Sequence, residues 1–292
     1  MNILLYSKDI NIDNWQYIEL CVHELHKKNI KIWFLEDFYK KIKNKIQPNL
    51  VHQIINEVSA AYKIDFIISF GGDGTMLSAA NIIKDYNISI VGVNTGRLGF
   101  LATVAKNNIK NLIKDLENNN FTVSKRSLID IIIKPEVKNK QTYFALNELS
   151  ICGEENAMIN VKAYLNGNYL NNYWGDGLII STPTGSTGYS LSCGGPIIMP
   201  DTNNFIITPI ASHNLNVRPL IISDQNELKL ELDKRFNTFK LSIDGVPYDL
   251  TQKHTIFIKK SKSFINFLIT KENNYLNTLR NKLLWGLDKR NS

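Results

Sequence analysis

The sequence predicts an α/β domain built on a mainly parallel sheet over residues 1–122. A mostly antiparallel, all-β domain follows over 123–271, and a closing C-terminal helix over 272–292 is expected to pack back on the first domain. Three observations predict this. Apolar strands alternate with amphipathic helices through the first third, which is the rhythm of a parallel sheet. After Phe121 the texture changes to short β-rich runs separated by turn residues. Near the end, Leu276, Leu279, Leu283 and Leu287 recur at helical spacing.

In order, the first domain reads as strand 3–6, helix 14–28, strand 32–35, a helical stretch around 51–61, and strand 66–70. Helix 75–85, strand 88–93, a second glycine-rich turn at 94–100 and helix 109–117 complete it. Two glycine-rich turns thus follow two sheet strands, and in open α/β sheets the ligand crevice lies beyond the carboxyl ends of the strands. The second domain reads as strands at 128–133, 143–151, 159–165, 169–174, 178–181, 205–209, 228–232, 239–243 and 255–258. Asn166-Gly167 between two of them is a strong hairpin signal.

With 292 residues, 43% hydrophobic and 21% charged, the chain has enough apolar content for two cores and is not a disordered protein. The net charge of +7 permits an anionic partner, but the basic residues are dispersed. Lys40, Lys41, Lys43 and Lys45 interleave with Ile42 and Ile46, which reads as a solvated helix face rather than a nucleic-acid stripe. No apolar run reaches membrane-spanning length and the N-terminus lacks a signal-peptide pattern, so neither nucleic acid nor membrane is an expected partner and a cytoplasmic location is. Cys21, Cys152 and Cys193 are too scattered for a zinc knuckle or a disulfide framework, and read as free thiols. His23 and His26 share a helix face beside charged residues and read as surface groups.

The most informative segment is 65–75, where an apolar strand runs into Gly71-Gly72-Asp73-Gly74-Thr75. Glycines at 71, 72 and 74 permit positive φ and let backbone N–H groups close on a polyphosphate, and the helix beginning near Thr75 adds its positive end. A carboxylate there would repel phosphate unless it holds a metal ion or takes a proton from an attacking hydroxyl, roles that belong to phosphoryl transfer. The same residues also suit an ordinary turn after a buried strand.

A second segment, 176–196, crowds hydroxyls and glycines after an apolar strand, a density of small donors and acceptors that suits the ribose and base edges of a nucleotide. It fits neither a Walker loop nor a lipase elbow. Asn147 and Glu148 interrupt the apolar run 144–151, either to meet ribose hydroxyls or to face solvent at a sheet edge.

Taken in order, Gly71 to Thr75, Gly92 to Leu101, Asn147-Glu148 and Asp176-Gly177 through Gly195-Pro196 make the chain resemble the NAD kinase family over nearly its whole length. The resemblance implies transfer of the ATP γ-phosphoryl group to the adenosine 2′-hydroxyl of NAD, a divalent metal such as Mg²⁺, and a homodimer or homotetramer. It implies that Asp73 is the catalytic base, with Gly71, Gly72, Gly74 and Thr75 as the phosphate loop. Gly74 and Phe100 would lie against the dinucleotide, and Asn147 and Glu148 would meet ribose and adenine edges. Asp176 would help recognise the nicotinamide end, Thr187, Gly188, Tyr189, Ser190, Leu191 and Ser192 would line the adenosine pocket, and His213 resembles a pocket-wall position. Ala157, Trp174 and Val246 stand where relatives often carry a basic residue, Arg and Gln, and Gly188 replaces a common Ala; these departures bear on secondary contacts rather than on Asp73. The Gly-Gly-Asp-Gly turn alone is shared with lipid and sphingoid-base kinases, and a non-catalytic dinucleotide sensor is the other alternative. Polyphosphate is a further possible donor, and the sequence leaves the choice between NAD and NADH open.

Overall fold

The computed structural model describes residues 1–8, 12–96, 99–154, 157–233, 238–271 and 273–284. The chain forms two compact units, Met1–Lys125 with Ile265–Ser292, and Arg126–Phe264.

In the first unit the elements run β1 (Asn2–Tyr6), α1 (Ile12–Lys27), β2 (Lys31–Leu35), α2 (Glu36–Ile42), β3 (Gln53–Ile55), β4 (Phe66–Phe70), α3 (Asp73–Ile83), β5 (Ser89–Asn94), β6 (Val104–Ala105) and α4 (Ile109–Glu117). All pairings of β1 to β6 are parallel, in the order β5-β4-β1-β2-β3, with β6 beside β5. These strands are near-continuous apolar runs because helices cover a parallel sheet on its faces; Ile3, Leu4, Leu5, Ile67, Ile68 and Phe70 are fully buried. The chain moves outward from β1 to β2 and β3, then returns to place β4 on the other side of β1. That reversal is the switch point beside which α/β sheets bind ligands, and Ser7 at the end of β1 donates to the Phe70 carbonyl at the end of β4 (2.8 Å).

The second unit continues through β7 (Phe121–Val137), β8 (Lys140–Ala145), β9 (Glu148–Gly153), β10 (Ile159–Leu165), β11 (Asn168–Gly175), β12 (Gly177–Ser181), the short α5 (Tyr189–Ser192), β13 (Asn204–Ile210), β14 (Leu220–Ser223), β15 (Leu228–Leu232), β16 (Thr238–Ile243), β17 (Val246–Thr251) and β18 (Thr255–Thr270). Its six-stranded antiparallel sheet has the order β14-β13-β12-β9-β16-β17. The antiparallel set β11-β10-β15-β18 and the β7-β8 pair complete it, around one core that draws on Ile131, Ile151, Val161, Leu178, Phe205, Leu230 and Phe239. The strands β7 and β18 each have residues in both units, and α6 (Tyr275–Leu283) closes the described chain within the first unit.

Most predicted elements form within two residues of their expected ends, and the differences have identifiable causes. The expected helical stretch at 51–61 is instead β3 followed by a single 3₁₀ turn at Ala60–Tyr62. There Ile54 is 40% exposed and Ile55 buried, and parallel pairing with the open edge of β2 outweighs a helix too short to be stable alone. The expected strand at 143–151 divides into β8 and β9 at Leu146-Asn147. The strand predicted at 128–133 spans Phe121–Val137, the one predicted at 255–258 runs on to Thr270, and β6, β14 and β17 were not expected.

In α2, Lys40, Lys41 and, just beyond the helix, Lys43 and Lys45 are exposed above buried Ile42 and Ile46, as a solvated face requires. The closing helix is capped by the Asn274 side chain, which accepts from the Asn277 N–H (2.9 Å). Its expected leucine stripe is only partly covered: Leu279 is buried while Leu276 is 53% exposed, and Leu287 lies outside the described residues. Among the described residues no helix is long and apolar enough to cross a membrane.

Candidate functional site

In the first unit, the buried β4 delivers the chain to Gly71 and Gly72, and α3 starts at Asp73, two residues earlier than expected. Of the three turn glycines only Gly71 takes a positive φ, 152°. A Cβ on Gly72 or Gly74 would meet nothing within 4 Å, so packing does not demand glycine there and the space above both is open. Thr75 and Met76 direct their N–H groups to the Gly72 carbonyl, which closes the first turn of the helix.

The Asp73 carboxylate lies among three consecutive backbone donors of the second glycine-rich turn. Phe100 N–H donates to Oδ2 (2.8 Å), and Leu101 and Ala102 N–H donate to Oδ1 (2.9 and 3.1 Å). A carboxylate offers about four lone-pair positions, two per oxygen. Oδ1 is therefore saturated, and Oδ2 keeps one position free. Gly99 makes this possible: a Cβ there would stand 2.0 Å from Asp73 Oδ1. The Phe100 ring is half-buried, and Lys282 Nζ lies 5.9 Å from its centroid. Arg97 and Leu98 of the same turn lie outside the described residues.

In the second unit, Asn147 and Glu148 stand at the gap between β8 and β9, beside the loop that follows β12. Asn147 Oδ1 and Glu148 Oε2 are buried without a hydrogen-bond partner. Orphaned acceptors of this kind cost free energy unless a ligand supplies donors. Burial, then the nearby Asp244 charge, pushes the Glu148 carboxyl up to about 7, opposed by the Tyr189 backbone N–H. The Asp244 carboxyl is itself raised by burial and held down by three backbone N–H bonds.

The loop presses on this gap so closely that a Cβ on Gly185 would stand 2.1 Å from the Asn147 carbonyl oxygen, and one on Gly188 2.6 Å from Glu148 Oε2. Several of its hydroxyls hold the loop itself: Ser186 bonds both ways with Ile198, Ser190 pairs with Thr208 (2.8 Å), and Thr187 donates to the Thr184 carbonyl. Tyr189 and Ser192 are exposed, Thr187, Gly188 and Leu191 half-buried, and Ser190 fully buried. Asp176 is exposed between β11 and β12, close in the chain to Trp174, whose indole stacks at 4.7 Å against the exposed His213 ring.

Two groups that organise these surroundings were not singled out from the sequence, Gly99 and Asp244. The Asp244-Gly245 pair, with φ of 46° and 81° between β16 and β17, carried a hairpin signal, but nothing local revealed which backbone its carboxylate reaches.

Because Glu148 binds its proton more tightly when folded, its contribution to stability is complete below pH 4.5, its ordinary value, and is lost as pH rises through about 7. The expected loss is on the order of 3 kcal/mol. Glu148→Gln should remove most of that slope, Asp244 supplying the remainder; urea midpoints between pH 4.5 and 8 for both proteins measure it, and parallel curves would refute it.

His23 and His26 are exposed on α1, the three cysteines are unpaired, and among the described residues no group of three or more His, Cys, Asp or Glu is placed to hold a metal ion. Residues 4–121 match the model of the ATP-NAD kinase N-terminal domain and residues 146–269 that of the ATP-NAD kinase C-terminal domain. An NAD kinase from Christiangramia forsetii is 43% identical over 296 residues, covering 100% of both chains. An NAD kinase from Cytophaga hutchinsonii is 40% identical over 294 residues, again covering 100% of each. Among solved structures, yeast NADH kinase complexed with NADH matches with a TM-score of 0.87 at 22% identity, over 98% of this chain and 88% of that one. An NAD kinase from Archaeoglobus fulgidus in complex with ATP matches with a TM-score of 0.73 at 24% identity, over 96% and 99%.

Proposed function

Because this chain belongs to the NAD kinase family, we propose that it transfers the terminal phosphoryl group of ATP to the adenosine 2′-hydroxyl of NAD, yielding NADP and ADP, with Asp73 as the base. An alcohol is a poor nucleophile, so a carboxylate must accept its proton as the new P–O bond forms and the bond to the ADP oxygen breaks. The observation that carries this reading is the carboxylate of Asp73, fixed by three backbone donors with one Oδ2 position left over. That position takes the hydroxyl proton.

Gly71, Gly72, Gly74 and Thr75 form the phosphate loop, a role supported by the open space above Gly72 and Gly74. Gly74 and Phe100 contact the dinucleotide. The buried, unpartnered acceptors of Asn147 and Glu148 favour ribose hydroxyls and the adenine amino group as their donors. Thr187, Gly188, Tyr189, Ser190, Leu191 and Ser192 border the adenosine, and Asp176 and His213 serve the nicotinamide end.

A divalent cation, Mg²⁺, enters with the triphosphate. The lack of a three-residue ligand cluster among the described residues suits Mg²⁺, which is habitually held by phosphate oxygens, waters and one or two carboxylates. When bound, held by the triphosphate oxygens and waters, it would neutralise charge on the transferring group, leaving the free Oδ2 position of Asp73 for the hydroxyl proton. The unpaired thiols suit a cytoplasmic enzyme. Exposed Leu220 and Ile221 on the edge strand β14 suit a homodimer or homotetramer, which sedimentation velocity would resolve.

The deciding assay follows NADP formation from NAD with ATP or polyphosphate, with and without Mg²⁺, beside NADH, diacylglycerol and sphingosine as acceptors. We expect NADP with ATP and Mg²⁺ and no lipid product. Binding of NAD without any NADP would identify a sensor instead.

A further inference from the structure

We infer that Asp244 is a positioning residue of the acceptor site, whose carboxylate holds the chain between β8 and β9 in the bend that presents Asn147 and Glu148 to the dinucleotide. This rests on the reading of those two side chains as dinucleotide contacts.

The three residues at the bend do not satisfy their main chain within a continuous strand. Leu146 N–H donates to Asp244 Oδ2 (2.7 Å), while Asn147 and Glu148 N–H both donate to Oδ1 (2.8 and 3.1 Å). Their carbonyls are met as closely. Leu146 O accepts from the Thr182 hydroxyl (2.5 Å) and Asn147 O from the Thr182 N–H (2.9 Å). Glu148 O accepts from the Asp244 N–H (3.0 Å). Two residues from other elements therefore account for every backbone polar group of this segment, which is what permits a strand to stop between two buried neighbours, Ala145 and Leu149.

The consequence falls on the side chains. Without the Asp244 acceptors the segment has three buried N–H groups to satisfy, and the nearest remedy is to straighten into the ladder of β9. That straightening changes the backbone course through Leu146 and Asn147, where β9 begins at Glu148, and carries the Asn147 and Glu148 side chains out of place. Asp244 also faces Glu148 with a like charge, while the loop side faces it with the Tyr189 backbone N–H.

The test uses Asp244→Asn, which keeps the shape but puts an amide in place of one acceptor oxygen, together with Thr182→Val, which removes the hydroxyl that meets the Leu146 carbonyl and accepts from the Gly185 N–H while keeping the backbone N–H to Asn147. Both should raise KM for NAD about tenfold or more with a smaller change in kcat and in KM for ATP. A merely structural role would lower Tm without that split. In the wild-type protein KM for NAD should fall as pH rises through about 7 and Glu148 ionises to accept ligand donors. In Asp244→Asn, with the facing charge gone, the inflection should move to lower pH.

An unchanged KM for NAD and an unmoved inflection in folded Asp244→Asn would overturn the inference. Should that variant fail to fold, Thr182→Val with an unchanged KM would do the same. A wild-type protein that makes no NADP would count against the kinase reading itself; normal wild-type turnover with indifferent variants would count against Asp244 alone.

Discussion

Asp73→Asn should lower turnover by roughly two to four decades, the range removed with a general base, while NAD binding measured by calorimetry is largely retained. The substitution is not silent structurally. Three backbone N–H groups converge on the carboxylate, and an amide offers one oxygen where two now accept. Whichever way the Asn amide turns, at least one N–H of the 100–102 segment faces another donor. Leaving such a group unsatisfied costs about 1–3 kcal/mol, so a lower Tm should accompany the loss of turnover. The sequence alone suggests that Asn preserves the turn; the three donors show why it does so incompletely. Turnover equal to wild type in a steady-state assay would remove Asp73 from the role of base.

Gly99→Ala is expected to act almost as strongly without touching any group that does chemistry. The added methyl would stand 2.0 Å from Asp73 Oδ1 and 2.7 Å from its Cγ. Relief requires either rotation of the carboxylate away from its backbone donors or displacement of the turn that carries them. Both misplace the base, and a displacement near 1 Å costs about a hundredfold in rate. We expect kcat to fall by about that factor with KM for ATP and NAD changed far less. A variant with normal kcat would mean that the carboxylate position is not critical.

Much of the architecture was legible because it rests on periodicity. The strand 66–70, the helix 109–117 and the strands 159–165 and 228–232 lie where the apolar pattern puts them. Legibility failed where a neighbour in space competes with a local tendency. The segment around 53–55 became a strand because β2 offered an edge. The apolar run 143–151 broke because Asp244, about a hundred residues away, supplied acceptors that a ladder otherwise provides. Hydroxyl density in the 182–192 loop signalled a special segment. It did not reveal that Ser186 and Ser190 turn inward to hold the loop, leaving Tyr189 and Ser192 at the surface.

The amino-acid sequence by itself determined the class of each domain, the strand-turn-helix corner around Asp73 and the family, because apolar spacing and short glycine-rich motifs are local properties of the chain. Only the tertiary structure decided which lone pair of Asp73 stays free, why residue 99 must lack a side chain, and what bends the chain at Asn147-Glu148. Those outcomes depend on hydrogen bonds and close approaches between segments 26 to 98 residues apart, and no local pattern encodes which distant donor or acceptor will arrive.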